Sequence, residues 1–372
     1  MAGYRIISAD SHVFEPPDLW TSRIEPGFRD RAPRILRMEG GGDWWVCDGY
    51  RGLSAFSGAQ TGRRFEAPKK MTVHESFENV RPGGYIPEEH VKDMAEDGVD
   101  VSIVYPSAAM MMFNLPDTGL LNAVFHAYNG WLAEFCQPFP AQLKGIGILN
   151  VDDVKDGVAE LERCAKLGLA GALVTVYPPQ DRPYDSPEYE PLWAAAQDLD
   201  MPLSLHAASN RGQASDFKER DKMKPSALVN LDYWVRESLA HIIFSGVFER
   251  YPRLYVGSVE QELAWVPHFL ERMDYTHTQR TQNEFWYRFK EDMLPSDYFH
   301  RNVFVGFQED AIGIRMRDLI GVDNLQWGSD YPHPESTFPR TRQILEEVLS
   351  DCTEEEKAKI AGGNASRVYH LD

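Results

Sequence analysis

Five side chains of the kind that bind metal ions lie at the ends of segments predicted to be buried β-strands. Asp10 and His12 end the segment ISADSH, His206 follows PLSL, Glu260 follows YVGSV, and Asp330 follows LQWGS. Imidazole nitrogens and carboxylate oxygens together form ligand sets for Zn²⁺, Mn²⁺ or Fe²⁺. A carboxylate beside such a metal can also take up or release a proton. The pattern therefore predicts a catalytic site for a divalent metal, with Zn²⁺ as the first expectation and Mn²⁺ or Fe²⁺ as alternatives.

Each of these residues also has an ordinary structural explanation. An Asp-x-His pair after a strand can belong to a turn or a helix cap, and His206 can be a hydrogen-bonded core histidine. Asp330 precedes Tyr-Pro and can make an Asx-turn, and Glu260 can cap the next helix. The metal site is favoured because all of them fall at the ends of predicted strands. Alternate residues of a strand, such as Asp10 and His12, also point the same way.

The elements that would position these residues alternate regularly along the chain. Helical patterns separate eight apolar, β-branched segments, which are predicted strands at 5–9, 101–106, 143–150, 170–177, 202–206, 254–259, 302–307 and 325–328. Such alternation is typical of parallel βαβ units, and eight units predict a closed (β/α)8 TIM barrel. An open doubly wound sheet is the alternative, but the sequence has neither GxGxxG after its first strand nor GxxxxGK[ST].

Two segments interrupt this alternation. Residues 14–87, rich in Pro, Gly and aromatic residues, form a long insertion after the first strand. A segment of this length is expected to be a lid, a small subdomain or a binding element. Residues 207–229 follow the fifth predicted strand as a polar loop over the barrel mouth. No linker composition divides the chain, so residues 1–372 are predicted to form a single barrel domain.

Four further residues are candidates for contacting a small-molecule substrate. Trp44 in the insertion favours a flat or apolar substrate group, whereas Arg51 and Arg211 can attract a substrate carboxylate. His333 follows Asp330 closely in DYPHPE and can reach the site. The ordinary alternatives are solvated loop charges for the two arginines and packing against the barrel for Trp44.

The composition excludes several classes of function. The chain of 372 residues has 38 Lys and Arg against 57 Asp and Glu, a net charge of −19, and no basic cluster. Nucleic acids and anionic membrane surfaces are therefore unfavourable partners. No apolar run approaches about 18 residues and no secretory signal is visible, so we expect no membrane span and a cytoplasmic location. The four cysteines form no CxxC pair, which argues against a thiolate zinc site.

The chain resembles the metal-dependent amidohydrolase superfamily, in the branch that includes 2-amino-3-carboxymuconate-6-semialdehyde decarboxylase and the γ-resorcylate-type decarboxylases. The resemblance spans essentially the whole chain. It lies in the first D-x-H, in His206 after LSL, and in the segments SGVFERYPRLYVGSVE, WGSDYPHPE and GGNASRVYHL. It implies a (β/α)8 barrel with one divalent metal, and a homo-oligomer, either a dimer or a tetramer. By position, it implies that the metal ligands are Asp10, His12, His206 and Asp330.

Two positions depart from the pattern of these decarboxylases. Asp10 stands where the muconate-semialdehyde type has His and the resorcylate type has Glu. Relative to His, the carboxylate adds negative charge and should tighten the binding of a hard divalent ion. Glu260 stands where the decarboxylases have a His that handles a proton or water. A carboxylate at that position can bind a metal or act as a base.

Three functions are compatible with these residues, with Asp330 and Glu260 as the candidate catalytic groups. The first, which Glu260 favours, is a metal-dependent hydrolase in which a carboxylate deprotonates a metal-activated water that attacks a small organic substrate. The second is a metal-dependent non-oxidative decarboxylase, or carboxy-lyase, of an aromatic or muconate-like acid. The third is a barrel that binds a ligand without catalysis, which the intact ligand set disfavours.

Overall fold

A closed barrel of eight parallel strands is confirmed by the computed structural model, which describes residues 3–211, 225–280, 287–290 and 292–371. The eight strands pair side by side in chain order. The first and last strands are then joined through their backbones. The His12 N–H donates to the Tyr331 carbonyl oxygen at 2.5 Å, and the Asp330 N–H donates to the Asp10 carbonyl oxygen at 2.8 Å. The barrel therefore closes at the residues that the sequence predicts to bind metal.

The barrel strands are buried on both faces, because side chains fill the interior and helices cover the outside. All their residues are buried except Lys144, which is partly exposed. The strands, numbered in chain order, are β1 (Ile7–His12), β2 (Arg34–Arg37), β3 (Asp43–Cys47), β4 (Tyr50–Ser54), β5 (Val101–Tyr105), β6 (Leu143–Ile148), β7 (Gly171–Val174), β8 (Leu203–His206), β9 (Val256–Val259), β10 (Val303–Phe307) and β11 (Leu325–Trp327). All but β2, β3 and β4 belong to the barrel.

Each predicted barrel strand corresponds to an observed one, and the largest difference is in β1. The sequence predicts this strand at 5–9, whereas it runs from Ile7 to His12. The polar residues at its end lack an apolar pattern, but Ser11 and His12 pair with Val104 and Tyr105 of β5. Asp10 and His12 are therefore held within a strand, rather than in a loop that follows it.

The helices follow the predicted order, with several interruptions. They are α1 (Leu19–Arg23), α2 (Arg63–Glu66), α3 (Pro87–Asp97), α4 (Ala108–Met111), α5 (Thr118–Cys136), α6 (Val154–Lys166), α7 (Glu190–Asp198), α8 (Pro225–Leu228), α9 (Asp232–Phe244), α10 (Val247–Arg250), α11 (Val266–Gln279), α12 (Pro295–Asn302), α13 (Ala311–Arg315), α14 (Arg317–Ile320), α15 (Thr341–Val348), α16 (Glu354–Ala358) and α17 (Asn364–Val368). Helices α9 and α10 are separate, because Gly246 between them adopts a left-handed φ of 75°. Across the described ranges, none of these helices has the length and apolarity needed to cross a membrane.

The segment between β1 and α3 contains a small sheet of its own. Strands β2, β3 and β4 pair antiparallel in that order, and they form no part of the barrel sheet. The segment is attached through Trp20, which is fully buried and whose indole N–H donates to the Val124 carbonyl oxygen of α5 at 3.0 Å. That it acts as a lid stays a prediction. Of the predicted mouth loop 207–229, residues 212–224 lie outside the described residues.

Candidate metal centre

Three buried ligand atoms converge at the carboxyl ends of β1 and β8. Asp10 is 6 % exposed, and His12 and His206 are fully buried. The Asp10 Oδ1 atom lies 3.2 Å from His12 Nε2 and 3.5 Å from His206 Nε2. Within the described part of the chain, none of these three atoms has a hydrogen-bond partner. Buried polar atoms are seldom left unpaired, so this trio of one carboxylate oxygen and two imidazole nitrogens fits a divalent metal ion.

Both imidazole rings are held with Nε2 directed at Asp10. The Nδ1 atom of His12 lies 2.9 Å from the Pro106 carbonyl oxygen, and that of His206 lies 3.0 Å from the Ala207 carbonyl oxygen. Because a carbonyl oxygen can only accept a hydrogen bond, each Nδ1 carries a proton. Each Nε2 is therefore left to bind either a second proton or a metal ion. Metal-binding histidines are commonly oriented through their other nitrogen in this way.

The two candidate catalytic carboxylates lie beside different histidines. Asp330, 3 % exposed, has its Oδ1 atom 3.4 Å from His12 Nε2. Glu260 Oε2 lies 3.3 Å from His206 Nδ1, and its side chain is 35 % exposed. These residues form two overlapping groups, in each of which the ligand atoms lie within 4.8 Å of one another. The first group is Asp10, His12, His206 and Glu260; the second is His12, Asp330 and His333. The structure thus brings all the predicted ligands together, and either Asp330 or Glu260 can complete the site.

Unusual backbone conformations present these groups at the barrel mouth. Ala208, Glu260 and Asp330 follow three different strands, and their φ angles are 62°, 62° and 56°. A left-handed conformation costs a non-glycine residue about 1–2 kcal/mol. Such conformations cluster at functional sites, where the surrounding structure enforces them. The sequence contains no signal for these left-handed conformations, because Gly is the residue expected in them and the chain has Asp and Glu there instead.

The carboxylates and imidazoles of the cluster shift one another's pKa values. Burial raises the pKa of Asp10, but its electrostatic interactions with the nearby imidazoles of His206 and His12 outweigh burial and hold this pKa below its ordinary value. Burial lowers the pKa of His206, but Asp10 and then Glu260 outweigh it and raise the pKa to about 9. Burial, with repulsion from Asp10, raises the pKa of Asp330 well above its ordinary value. Burial, with repulsion from Asp330 and Asp10, raises the pKa of Glu260 to about 8.

These shifts have one common electrostatic cause. Three carboxyl groups lie close together, two of them buried, and the cluster attracts positive charge. Without a metal, that charge is a proton on His206. A divalent ion can replace this proton and neutralise more of the negative charge, which is how bound cations change the protonation of a site. The donor types and the electrostatics therefore both fit a divalent metal.

Ser107 and Glu15 also adjoin the centre, and the sequence analysis missed both. The ring of His333 lies 4.1 Å from the ring of His12, and its Nδ1 is 2.6 Å from Asp330 Oδ1. The Ser107 hydroxyl lies 3.1 Å from His333 Nε2. Glu15 is fully buried and accepts the backbone N–H groups of Ser107 and the next two residues. The available signal was position, since the two residues closely follow the ends of β1 and β5.

The remaining predicted substrate contacts are engaged elsewhere. The Arg211 guanidinium pairs with Asp152, with Nε 2.9 Å from Oδ1, and donates to the Phe113 carbonyl oxygen at 2.7 Å. Arg211 also lines a cavity of about 450 Å³ beside the carboxyl ends of β5 to β8. Trp44 on β3 and Arg51 on β4 stack together, with the guanidinium carbon 4.8 Å from the ring centroid. A role in substrate binding stays a prediction for these three residues.

Most of the chain matches the model of one protein family, described as amidohydrolase, over residues 44–371. This stretch includes His206, Glu260, Asp330 and His333. It begins after β1, so the placement of Asp10 and His12 at the metal centre rests on the geometry described above.

The chain is also similar to several decarboxylases. It is 26 % identical over 309 residues to the γ-resorcylate decarboxylase of Polaromonas sp. strain JS666, which covers 77 % of this chain and 88 % of that one. It is 23 % identical over 384 residues to the 2-amino-3-carboxymuconate-6-semialdehyde decarboxylase of Dictyostelium discoideum, and this alignment covers 99 % of this chain and 93 % of that one. Among solved structures, a dihydroxybenzoic acid decarboxylase from Polaromonas sp. JS666, with bound manganese and the inhibitor 2-nitroresorcinol, has a TM-score of 0.67 at 20 % identity over 99 % and 97 % of the two chains.

These similarities confirm the resemblance to the decarboxylase branch. Both curated relatives are decarboxylases, so they support the decarboxylase alternative better than the hydrolase that Glu260 favours in the sequence analysis. The manganese in the related structure supports a divalent metal but does not single out Zn²⁺. The ligand-binding barrel without catalysis finds no support, because these relatives are enzymes.

Proposed function

The chain belongs to the amidohydrolase family, and we propose that it is a metal-dependent non-oxidative decarboxylase of an aromatic acid. The observation that carries the metal dependence is the trio of buried, unpaired atoms on Asp10, His12 and His206. Decarboxylation is favoured over hydrolysis by the decarboxylase activity named for both curated relatives. An aromatic substrate is supported by the γ-resorcylate and dihydroxybenzoic acid decarboxylases among the similar proteins.

We assign four residues to the metal: Asp10, His12, His206 and Asp330. Mixed carboxylate and imidazole ligands suit Mn²⁺ and Zn²⁺. Mn²⁺ is the first ion to test, because the related dihydroxybenzoic acid decarboxylase holds manganese. When bound, the ion would hold a carboxylate or hydroxyl oxygen of the substrate and offset the negative charge there.

The proposed reaction needs one proton delivered to the aromatic ring. The bond between the ring carbon and the carboxyl carbon breaks, its electron pair stays on the ring carbon, and a C–H bond forms there as CO₂ leaves. We assign this proton to Asp330, because its carboxyl group is buried at the proposed metal centre. Its Oδ1 atom is held by His333 Nδ1 at 2.6 Å. A carboxyl group held at the reacting atoms can take up a proton and deliver it as a general acid.

Glu260 has a different position and a different proposed role. It is more exposed than the other carboxylates of the cluster and lies against the Nδ1 edge of His206. We propose that it helps to orient His206 and borders the substrate. Two further proposals are that residues 14–87 act as a lid and that the protein forms a dimer or tetramer. Light scattering tests the second of these directly.

The decisive test is CO₂ release from aromatic acids. The protein is loaded with Mn²⁺ and incubated with γ-resorcylate and other hydroxybenzoic acids, and CO₂ and the ring product are both quantified. We expect equal amounts of the two products. We also expect no turnover after chelation of the metal, or in Asp330→Asn, which keeps nearly the same side-chain shape and is checked for folding by circular dichroism. Hydrolysis of amides or lactones without CO₂ release from any of the acids would overturn the proposal.

A further inference from the structure

A line of hydrogen bonds runs from the candidate metal centre to a buried acid that does not touch it. Asp330 Oδ1 is 2.6 Å from His333 Nδ1, and His333 Nε2 is 3.1 Å from the Ser107 hydroxyl. A carboxylate that binds a metal ion is ionised and can only accept, so Nδ1 of His333 carries the proton and Nε2 accepts from Ser107. Asp330 therefore fixes the tautomer of His333, and Ser107 and Asp330 together fix its ring orientation.

Glu15 fixes Ser107 in turn. Its carboxylate accepts the backbone N–H groups of Ser107 at 3.2 Å, Ala108 at 2.8 Å and Ala109 at 2.9 Å. Glu15 is fully buried and lies three residues after His12, just beyond the end of β1. Because the next segment after β5 is tied to β1 in this way, the Ser107 hydroxyl has a defined position relative to the metal ligands.

The order Ser107, His333, Asp330 matches the hydrogen-bond order of a nucleophilic Ser-His-Asp triad. Such a triad needs backbone N–H donors beside the serine to stabilise an oxyanion. Here the N–H groups of Ser107, Ala108 and Ala109 all donate to Glu15. These three N–H groups are therefore not free to stabilise an oxyanion, and the arrangement is suited instead to holding His333.

We propose that Ser107, anchored by Glu15, is a positioning residue that acts on Asp330 through His333. Its hydroxyl keeps the His333 ring turned so that Nδ1–H faces the Asp330 carboxyl group. Without the hydroxyl, the Nε2 edge of the ring loses its partner, and other ring rotations become accessible. The Asp330 oxygen that His333 holds would then be free to turn. The consequence for catalysis rests on the proposed function, whereas the hydrogen-bond arrangement does not.

The test uses the full-length protein in the presence of Zn²⁺, which is diamagnetic, with ¹⁵N-labelled histidine. The side-chain ¹⁵N signals of His333 are assigned by their loss in His333→Gln, and they report the hydrogen bonding of each ring nitrogen. Three variants are compared: Ser107→Ala removes the hydroxyl, Ser107→Thr keeps it, and Ser238→Ala serves as a matched control. Ser238 is fully buried and donates to the Val176 carbonyl oxygen at 2.6 Å, with no part in the line described above.

We expect the Nδ1–H signal of His333, which faces Asp330, to be sharp and unshifted in wild type, Ser107→Thr and Ser238→Ala, and to be shifted or split in Ser107→Ala because the ring turns. With a substrate in hand, kcat of Ser107→Ala should fall about 10-fold to 100-fold, the range typical of lost supporting hydrogen bonds around a metal site, while KM changes less than about twofold. An unchanged Nδ1–H signal of His333 in Ser107→Ala would overturn the proposal. Covalent labelling of Ser107 by a fluorophosphonate would also overturn it, in favour of a nucleophile. If wild type releases no CO₂ but the Nδ1–H signal responds as expected, the proposed function fails and the positioning role stands.

Discussion

The replacement Gly328→Ala tests whether Asp10 is a metal ligand without changing any ligand. Gly328 directly follows β11, against β1 across the closure of the barrel. A Cβ atom at this position would lie 2.5 Å from the Asp10 Cβ atom and 3.1 Å from the Asp10 backbone nitrogen. Carbon atoms in contact are normally about 3.5–4.0 Å apart. Asp10 must therefore move by about 1 Å, or the strands must separate.

The expected effects on folding and on metal binding can be estimated separately. Overpacking of this kind lowers the free energy of unfolding by about 1–3 kcal/mol. Metal sites tolerate deviations of only about 0.2 Å in ligand distances. A shift of about 1 Å in Asp10 should therefore raise the metal Kd by about 10-fold to 100-fold, as loss of a supporting contact commonly does. Such a change corresponds to about 1.4–2.7 kcal/mol of binding free energy.

The matched control is Gly306→Ala on the neighbouring strand β10. A Cβ atom there would lie 3.4 Å from its nearest neighbour, the Ser258 carbonyl oxygen, which is close to ordinary contact. Urea unfolding of the metal-free proteins measures the folding effect, and titration with Mn²⁺ followed by electron paramagnetic resonance measures the Kd. We expect Gly306→Ala to match wild type in the Kd. If Gly328→Ala also matches it although a crystal structure of the variant shows Asp10 displaced, Asp10 is not a ligand and the proposed centre is wrong.

Two other predictions follow from the same centre. His206→Ala removes one of the buried, unpaired nitrogens, so metal content measured by elemental mass spectrometry should fall together with activity; full occupancy would contradict the assignment. For Glu15, burial raises the pKa from 4.5 to about 7 in the folded protein, so the folded state binds this proton more tightly than the unfolded state. The free energy of unfolding should therefore fall by up to about 3 kcal/mol as pH rises from about 4.5 to 7. Urea unfolding of Glu15→Gln should lack this part of the decline. An equal dependence of the unfolding free energy on pH in wild type and Glu15→Gln would refute the raised pKa of Glu15.

The sequence was sufficient for the barrel and for the types of the site residues. Strands buried on both faces are near-continuous apolar runs, and this local pattern needs no knowledge of partners. Once eight such runs alternate with helices, the topology places all their carboxyl ends on one face of the barrel. His206 and Asp330 could therefore be predicted to lie near Asp10 and His12, although they are far apart in the chain.

The tertiary structure alone decided how these groups meet. The closure between β1 and β11 and the pairing of Ser107 with His333 join residues that are far apart in sequence. The left-handed conformations of Glu260 and Asp330 depend on backbone angles that the surrounding structure imposes. The sequence was likewise consistent with a substrate-binding role for Arg211, yet the Arg211 guanidinium pairs with Asp152. Local patterns record burial and periodicity, because these act on each segment by itself. Register, ring orientation and the choice of ion-pair partner are set by packing among distant segments, and a single sequence does not encode them in any local form.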